Sequence, residues 1–149
     1  QNSIIIIPDP KLRARWDSFQ HRLHMKGGNS IGFVAAEAAY KGGREWLDEV
    51  KDQIYSNFEY ARDFLAKELP DVGVADLQGT YLMWMDFGKW LKTQEDVVTF
   101  FEEKCNIAFD YGHWFGGDKY IPFVRLNLAT KREIVEEALG IIVREIRKL

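Results

Sequence analysis

Cys105 is the only cysteine in this chain, so neither an internal disulfide nor a thiolate metal cluster can form within it, which fits a reducing compartment. A basic excess is also missing. Lys and Arg number 20 against 23 Asp and Glu, a net charge of −3, whereas a protein that binds nucleic acid by neutralising phosphates is normally basic. The longest apolar stretches, residues 4–7 and 80–85, fall far short of the ~20 residues that span a bilayer. No basic segment, apolar stretch and small-residue cleavage site follow one another at the start, as a signal peptide requires. No HExxH, HxH or Cys/His ligand spacing occurs, so His21, His24 and His113 read as surface or loop histidines and no metal is expected. Gly27-Gly28-Asn29-Ser30-Ile31-Gly32 resembles a phosphate loop only superficially: no Lys-Ser/Thr follows it and it does not match GxGxxG after a strand. A GxSxG elbow is absent. What is present, 46% hydrophobic and 29% charged residues over 149 positions, suits a packed α/β domain, or part of a larger one. The expectation is a soluble, cytoplasmic protein with neither nucleic acid nor membrane as partner.

The chain begins at Gln1 and enters Ile4-Ile5-Ile6-Ile7 within three residues. A β-branched run apolar on both faces reads as a strand buried inside a sheet, and few candidate neighbours for it are visible. The segment therefore reads as cut from a longer protein. Asp9 and Pro10 suit the start of a helix running to about residue 23, and Asn29 or Ser30 caps an Ala-rich helix over 31–41 that Gly42-Gly43 ends. Leu47, Val50, Ile54, Phe58, Ala61, Leu65 and Leu69 recur in steps of three and four, predicting one long amphipathic helix over 44–69, stopped by Pro70. Strands are predicted at 80–85, 107–109 and 123–128. Thr93 with Asp96, and Thr130 with Glu133, read as capping boxes opening two further helices. In the second of these, Ile134, Ala138, Ile142 and Ile146 form the expected apolar face.

Alternation along the strand at 123–128 puts Val124, Leu126 and Leu128 on one face and Phe123, Arg125 and Asn127 on the other. The first set is core. In the second, the planar fork of Arg125 matches both oxygens of a carboxylate, although an arginine on the wet face of a half-exposed strand fits the pattern as well.

Three segments carry a resemblance: Gly79-Thr80-Tyr81-Leu82-Met83-Trp84-Met85-Asp86-Phe87, then Gly112-His113-Trp114-Phe115-Gly116, then Phe123-Val124-Arg125-Leu126-Asn127-Leu128-Ala129. Together they resemble the C-terminal part of fold-type-I, pyridoxal-phosphate-dependent aminotransferases of class I/II, most closely the cystathionine β-lyase-like (MalY/PatB) branch. The likeness extends across the chain, with residues 3–8 similar to the strand after the family's Schiff-base lysine and 29–40 to its Ala-rich interdomain region. It implies that residues 1–43 are the end of a large cofactor-binding domain and the interdomain region, and 44–149 a small C-terminal domain of α/β (α+β) class with a small sheet and flanking helices.

The resemblance further implies that Arg125 binds the α-carboxylate of an amino-acid substrate, and that Tyr81 and Trp114 border the substrate pocket. Asn29 would fall in a loop near the neighbouring subunit's active site in a homodimer. The implied cofactor is pyridoxal 5′-phosphate, bound in the full-length parent. The family's lysine would precede Gln1, and Lys26, which follows both the first strand and a helix, does not replace it. No catalytic residue is therefore expected in this segment, and the segment alone is expected to be inactive. Thr130-Lys131-Arg132 departs from the family's small-residue-Pro-Arg. The competing reading is a non-catalytic α/β module that binds a small acid or mediates dimerisation, with Arg125 in a structural ion pair.

Overall fold

A computed structural model describes residues 3–25 and 27–149, so Lys26 lies outside the described residues. The chain forms two compact units, 1–48 and 49–149.

In the first unit, helix α1 (Pro10–Arg22) starts where expected because the Asp9 carboxylate accepts from Lys11 N at 2.7 Å and Leu12 N at 2.9 Å. Helix α2 (Ser30–Gly42) is capped by Asn29, whose amide oxygen accepts from Gly32 N at 3.2 Å. Residues 4–7 do not form the buried strand expected of them. They adopt no regular structure, and Ile4 and Ile6 are 78% and 83% exposed. A strand needs a ladder partner, and none pairs with them among the described residues.

Helix α3 (Arg44–Glu68) begins in the first unit and is about 37 Å long at 1.5 Å per residue. All of its buried residues, Asn57, Phe58, Ala61 and Leu65, lie in its C-terminal half. The second unit holds an antiparallel sheet of order β1-β2-β4-β3: β1 (Gly73–Val74), β2 (Leu82–Asp86), β3 (Asp110–Tyr111) and β4 (Phe123–Asn127). Met83 and Met85 of β2 and Val124 and Leu126 of β4 face inward. They join Phe58, Ala61 and Leu65 of α3, and Leu139 and Ile142 of α6 (Arg132–Ile146), in one core. The opposite sheet face carries Leu82, Trp84, Asp86, Phe123, Arg125 and Asn127.

The Thr93–Asp96 capping box forms in full and opens α4 (Gln94–Val98). A π-helical turn over Thr99–Lys104 follows directly, and Cys105 N donates to Phe100 O at 3.0 Å. Both Phe100 and Phe101 are buried there, with ring centroids 5.0 Å apart. This turn moves the expected strand at 107–109. Ile107 N still donates to Phe101 O at 2.8 Å, so the ladder begins only at Asp110. The second capping box does not form. Asn57 Nδ2 donates to Leu128 O and Thr130 O, each at 2.9 Å, and α6 starts after Lys131 without a side-chain cap. The apolar stripe of α6 is correspondingly rotated: Val135, Leu139, Ile142 and Ile146 are buried, while Ile134 is 53% exposed.

Candidate functional site

Arg125 sits at the middle of β4, opposite Trp84 of β2 on one side and Asp110 of β3 on the other. Its Nη2 donates to Asp110 Oδ2 at 2.5 Å, the Arg125 side chain being 26% and the Asp110 side chain 48% exposed. The guanidinium lies 4.0 Å from the centroid of the Phe115 ring, within cation–π range. Its Nε is buried and has no hydrogen-bond partner.

The loop that places Phe115 depends on two glycines. A Cβ on Gly112 would lie 2.2 Å from Tyr120 O and 2.7 Å from Phe123 Cβ, so only glycine lets this turn lie against β4. Gly117, at φ +67°, ends the short helix α5 (His113–Gly116) in a conformation that L side chains rarely adopt. Between these points Phe115 comes over Arg125. Trp84 stands beside it, with ring centroids 5.4 Å from Phe123, 6.2 Å from Phe115 and 6.2 Å from Tyr120. A cleft of about 590 Å³ is lined here by Leu77, Leu82, Trp84, Phe115, Tyr120 and Arg125, among others. A second cleft, of about 580 Å³, shares Arg125 and Leu82 and includes Tyr81, Asp110 and Asn127. Among the described residues, no lysine and no second arginine lines either cleft.

Tyr81 lines the second cleft, which it shares with Arg125. Trp114 lines neither cleft: its ring packs edge-on against Tyr111 at 5.3 Å, and it is exposed. Asn127 shares the Arg125 face, but its amide oxygen accepts from Ala129 N at 2.8 Å and so closes a local turn. Asn29 belongs to the first unit, where it caps α2. Among the described residues no cluster of His, Cys, Asp or Glu could hold a metal ion. Next to Asp110, the Tyr111 hydroxyl donates to Glu102 Oε1 at 2.6 Å, and burial together with that carboxylate pushes its pKa far up, so it stays protonated. Sequence reasoning missed Asp110, Trp84, Phe115 and Tyr120. Alternation along 80–85 separates Trp84 from Met83 and Met85 and is the signal that could have found it, whereas Asp110 depends on a strand register that local pattern does not encode.

No family model matches the chain. It is 32% identical over 143 residues to cystathionine β-lyase PatB of Bacillus subtilis, covering 93% of this chain and 36% of that protein. It is 37% identical over 115 residues to cystathionine β-lyase of Corynebacterium glutamicum, covering 76% of this chain and 29% of that protein. Among solved structures, cystalysin from Treponema denticola, which contains a pyridoxal 5′-phosphate cofactor, superimposes with a TM-score of 0.88 at 30% identity, covering 97% of this chain and 36% of that one. The chain spans about a third of the length of the curated relatives it matches. These likenesses, with the helix-flanked antiparallel sheet, identify it as a C-terminal part of a fold-type-I pyridoxal-phosphate-dependent enzyme. Within that class it belongs with the cystathionine β-lyase (PatB/MalY) branch.

Proposed function

We propose that the parent protein is a pyridoxal-phosphate-dependent enzyme acting on an amino acid, either a C–S β-lyase of the cystathionine β-lyase kind or an aminotransferase. This chain would supply the grip on the substrate α-carboxylate. One observation carries the reading: a guanidinium on the open face of the sheet, beside two clefts, with a single ion-pair partner and its face covered by Phe115. The similarity to cystathionine β-lyases and to cystalysin supports the reaction class.

The donor set fits a carboxylate. It does not fit covalent attachment of the cofactor, since no lysine among the described residues lines the clefts. When bound, the cofactor supplies the electron sink for the carbanion left by the departing α-proton. Arg125 contributes orientation, fixing the carboxylate end of the substrate so that its Cα–H is presented to the base. The apolar walls from Trp84, Phe115 and Tyr120 flank the guanidinium and limit the water around it. Tyr81 and Trp114 are read as bordering the substrate pocket of the full-length parent and Asn29 as a contributor near the neighbouring subunit's site. Residues 1–43 would close the large domain and 44–149 form the small one, in a cytoplasmic homodimer. The substrate would leave as a 2-oxo acid by transamination, or as a thiol, pyruvate and ammonia by β-elimination.

Arg125→Ala in the full-length parent tests this reading. The expected result is a kcat/KM for amino acids lower by about ten- to a few-hundred-fold, the value of a charged hydrogen bond, with cofactor absorbance retained. Arg125→Lys should recover only part, because a point charge lacks the two-pronged grip. Amines without a carboxylate should be nearly unaffected. The competing reading also has an observation behind it, the Arg125–Asp110 pair itself. Loss of folding in Arg125→Ala would favour that structural role and the non-catalytic module.

A further inference from the structure

We infer that Asp110 is a specificity-determining residue of the Arg125 site, an internal carboxylate that competes with the ligand's own and biases the site against ligands with a second carboxylate close to the first. The inference rests on the reading of Arg125 as a carboxylate grip and adds to it.

The argument starts from the shape of the guanidinium. A carboxylate can take two nitrogens at once only along the Nη1/Nη2 edge or the Nε/Nη2 edge, since the arginine's own chain blocks the third. Nε is buried, which leaves the Nη1/Nη2 edge. Nη2 is the nitrogen that Asp110 already holds at 2.5 Å. A ligand carboxylate therefore meets the Asp110 carboxylate at a shared donor, and the two anions repel each other across it.

Asp110 is not needed to aim the arginine. Strand register places Arg125 between Trp84 and Asp110, and Phe115 covers its face at 4.0 Å. A half-exposed ion pair adds little holding energy, so losing it costs the arginine little, while a ligand carboxylate on the same guanidinium edge meets the Asp110 charge at close range. Repulsion is thus the larger effect of Asp110 on a ligand. Asp76 adds another carboxylate to the cleft lining, and no lysine or second arginine offsets it. A second carboxylate on the ligand would find no cation among these residues.

The test is calorimetric titration of the full-length parent with 3-phenylpropionate, its neutral isostere 3-phenylpropionamide, and phenylsuccinate, which carries a second carboxylate. In Asp110→Asn, 3-phenylpropionate should bind about three- to tenfold more tightly, phenylsuccinate should gain by more, and the amide should be unchanged. Asp110→Ser should likewise tighten both acids and leave the amide unchanged. Unchanged or weaker acid binding in both variants, while Arg125→Ala still weakens it, overturns the competitor role and leaves the carboxylate grip standing. If Arg125→Ala leaves acid binding unaltered, the grip itself fails and the competitor role fails with it.

Discussion

Asn57 is a fully buried amide that donates to two carbonyls, Leu128 O and Thr130 O, and so ties the chain just beyond β4 to α3. Asn57→Leu would keep the volume and strand both carbonyls, and roughly 2–4 kcal/mol of stability should go, read by urea unfolding. Cys105 makes a second residue-level prediction. Burial, and then the nearby Glu145 carboxylate, push its thiol up to about 11, so little thiolate exists near neutrality. A chromogenic disulfide reagent at pH 7.5 should leave it unmodified in the native chain and titrate it fully in denaturant; rapid native labelling would show that the site opens. Arg125 was legible because strand alternation sets it against an unmistakable core face. Asp110 was not, because its meeting with Arg125 depends on where a strand fifteen residues away begins to pair.

Among elements, those closed by local chemistry were read correctly. Asp9, Asn29 and the Thr93–Asp96 box each cap the helix start expected of them. Thr93→Ala should cost about 1 kcal/mol in thermal or urea unfolding. Asp96 gives that cap a pH dependence. Hydrogen bonds from the Thr93 backbone and side chain, and then from the Lys92 backbone, hold its carboxyl below the ordinary carboxylate value. The unfolded chain therefore takes up the proton first as pH falls. The cap's full contribution is present above the unfolded-state value and drains away as pH drops through the lower folded-state one. Asp96→Asn should flatten this part of the acid limb in urea midpoints measured from pH 7 to pH 3; an unchanged slope counts against the cap as its source. Two other elements start later than the local pattern indicates. Helix α6 begins after Lys131 rather than Thr130, whose carbonyl accepts from Asn57, and Ile107 N turns back to Phe101 O, so strand pairing begins at Asp110. The two-residue strand β1 has no apolar run to announce it.

At the scale of the whole molecule, no described residue of 3–48 is buried, and Ile4, Phe19, Leu23, Ile31, Phe33 and Val34 are all exposed. Apolar surface of this extent seeks cover, so the chain by itself should self-associate, and sedimentation velocity should show its weight-average coefficient rising with concentration. A concentration-independent monomer would contradict this. With no lysine among the described residues at either Arg125 cleft, the chain alone, mixed with pyridoxal phosphate and reduced with borohydride, should give scattered, substoichiometric lysine labelling by peptide mapping. One stoichiometric adduct would refute it.

The π-helical turn at Thr99–Lys104 has a bearing on how this chain tolerates changes of length. Such a turn holds about one residue more than an α-helical turn, so the segment carries a surplus residue that a single deletion could remove without ending the helix. Because the wider turn absorbs that surplus locally, its removal would restore α-helical bonding and leave the residues that follow, Asp110 and Tyr111 among them, in register. The turn is thus a place where the chain could lose a codon without changing the neighbour that the Arg125 guanidinium faces.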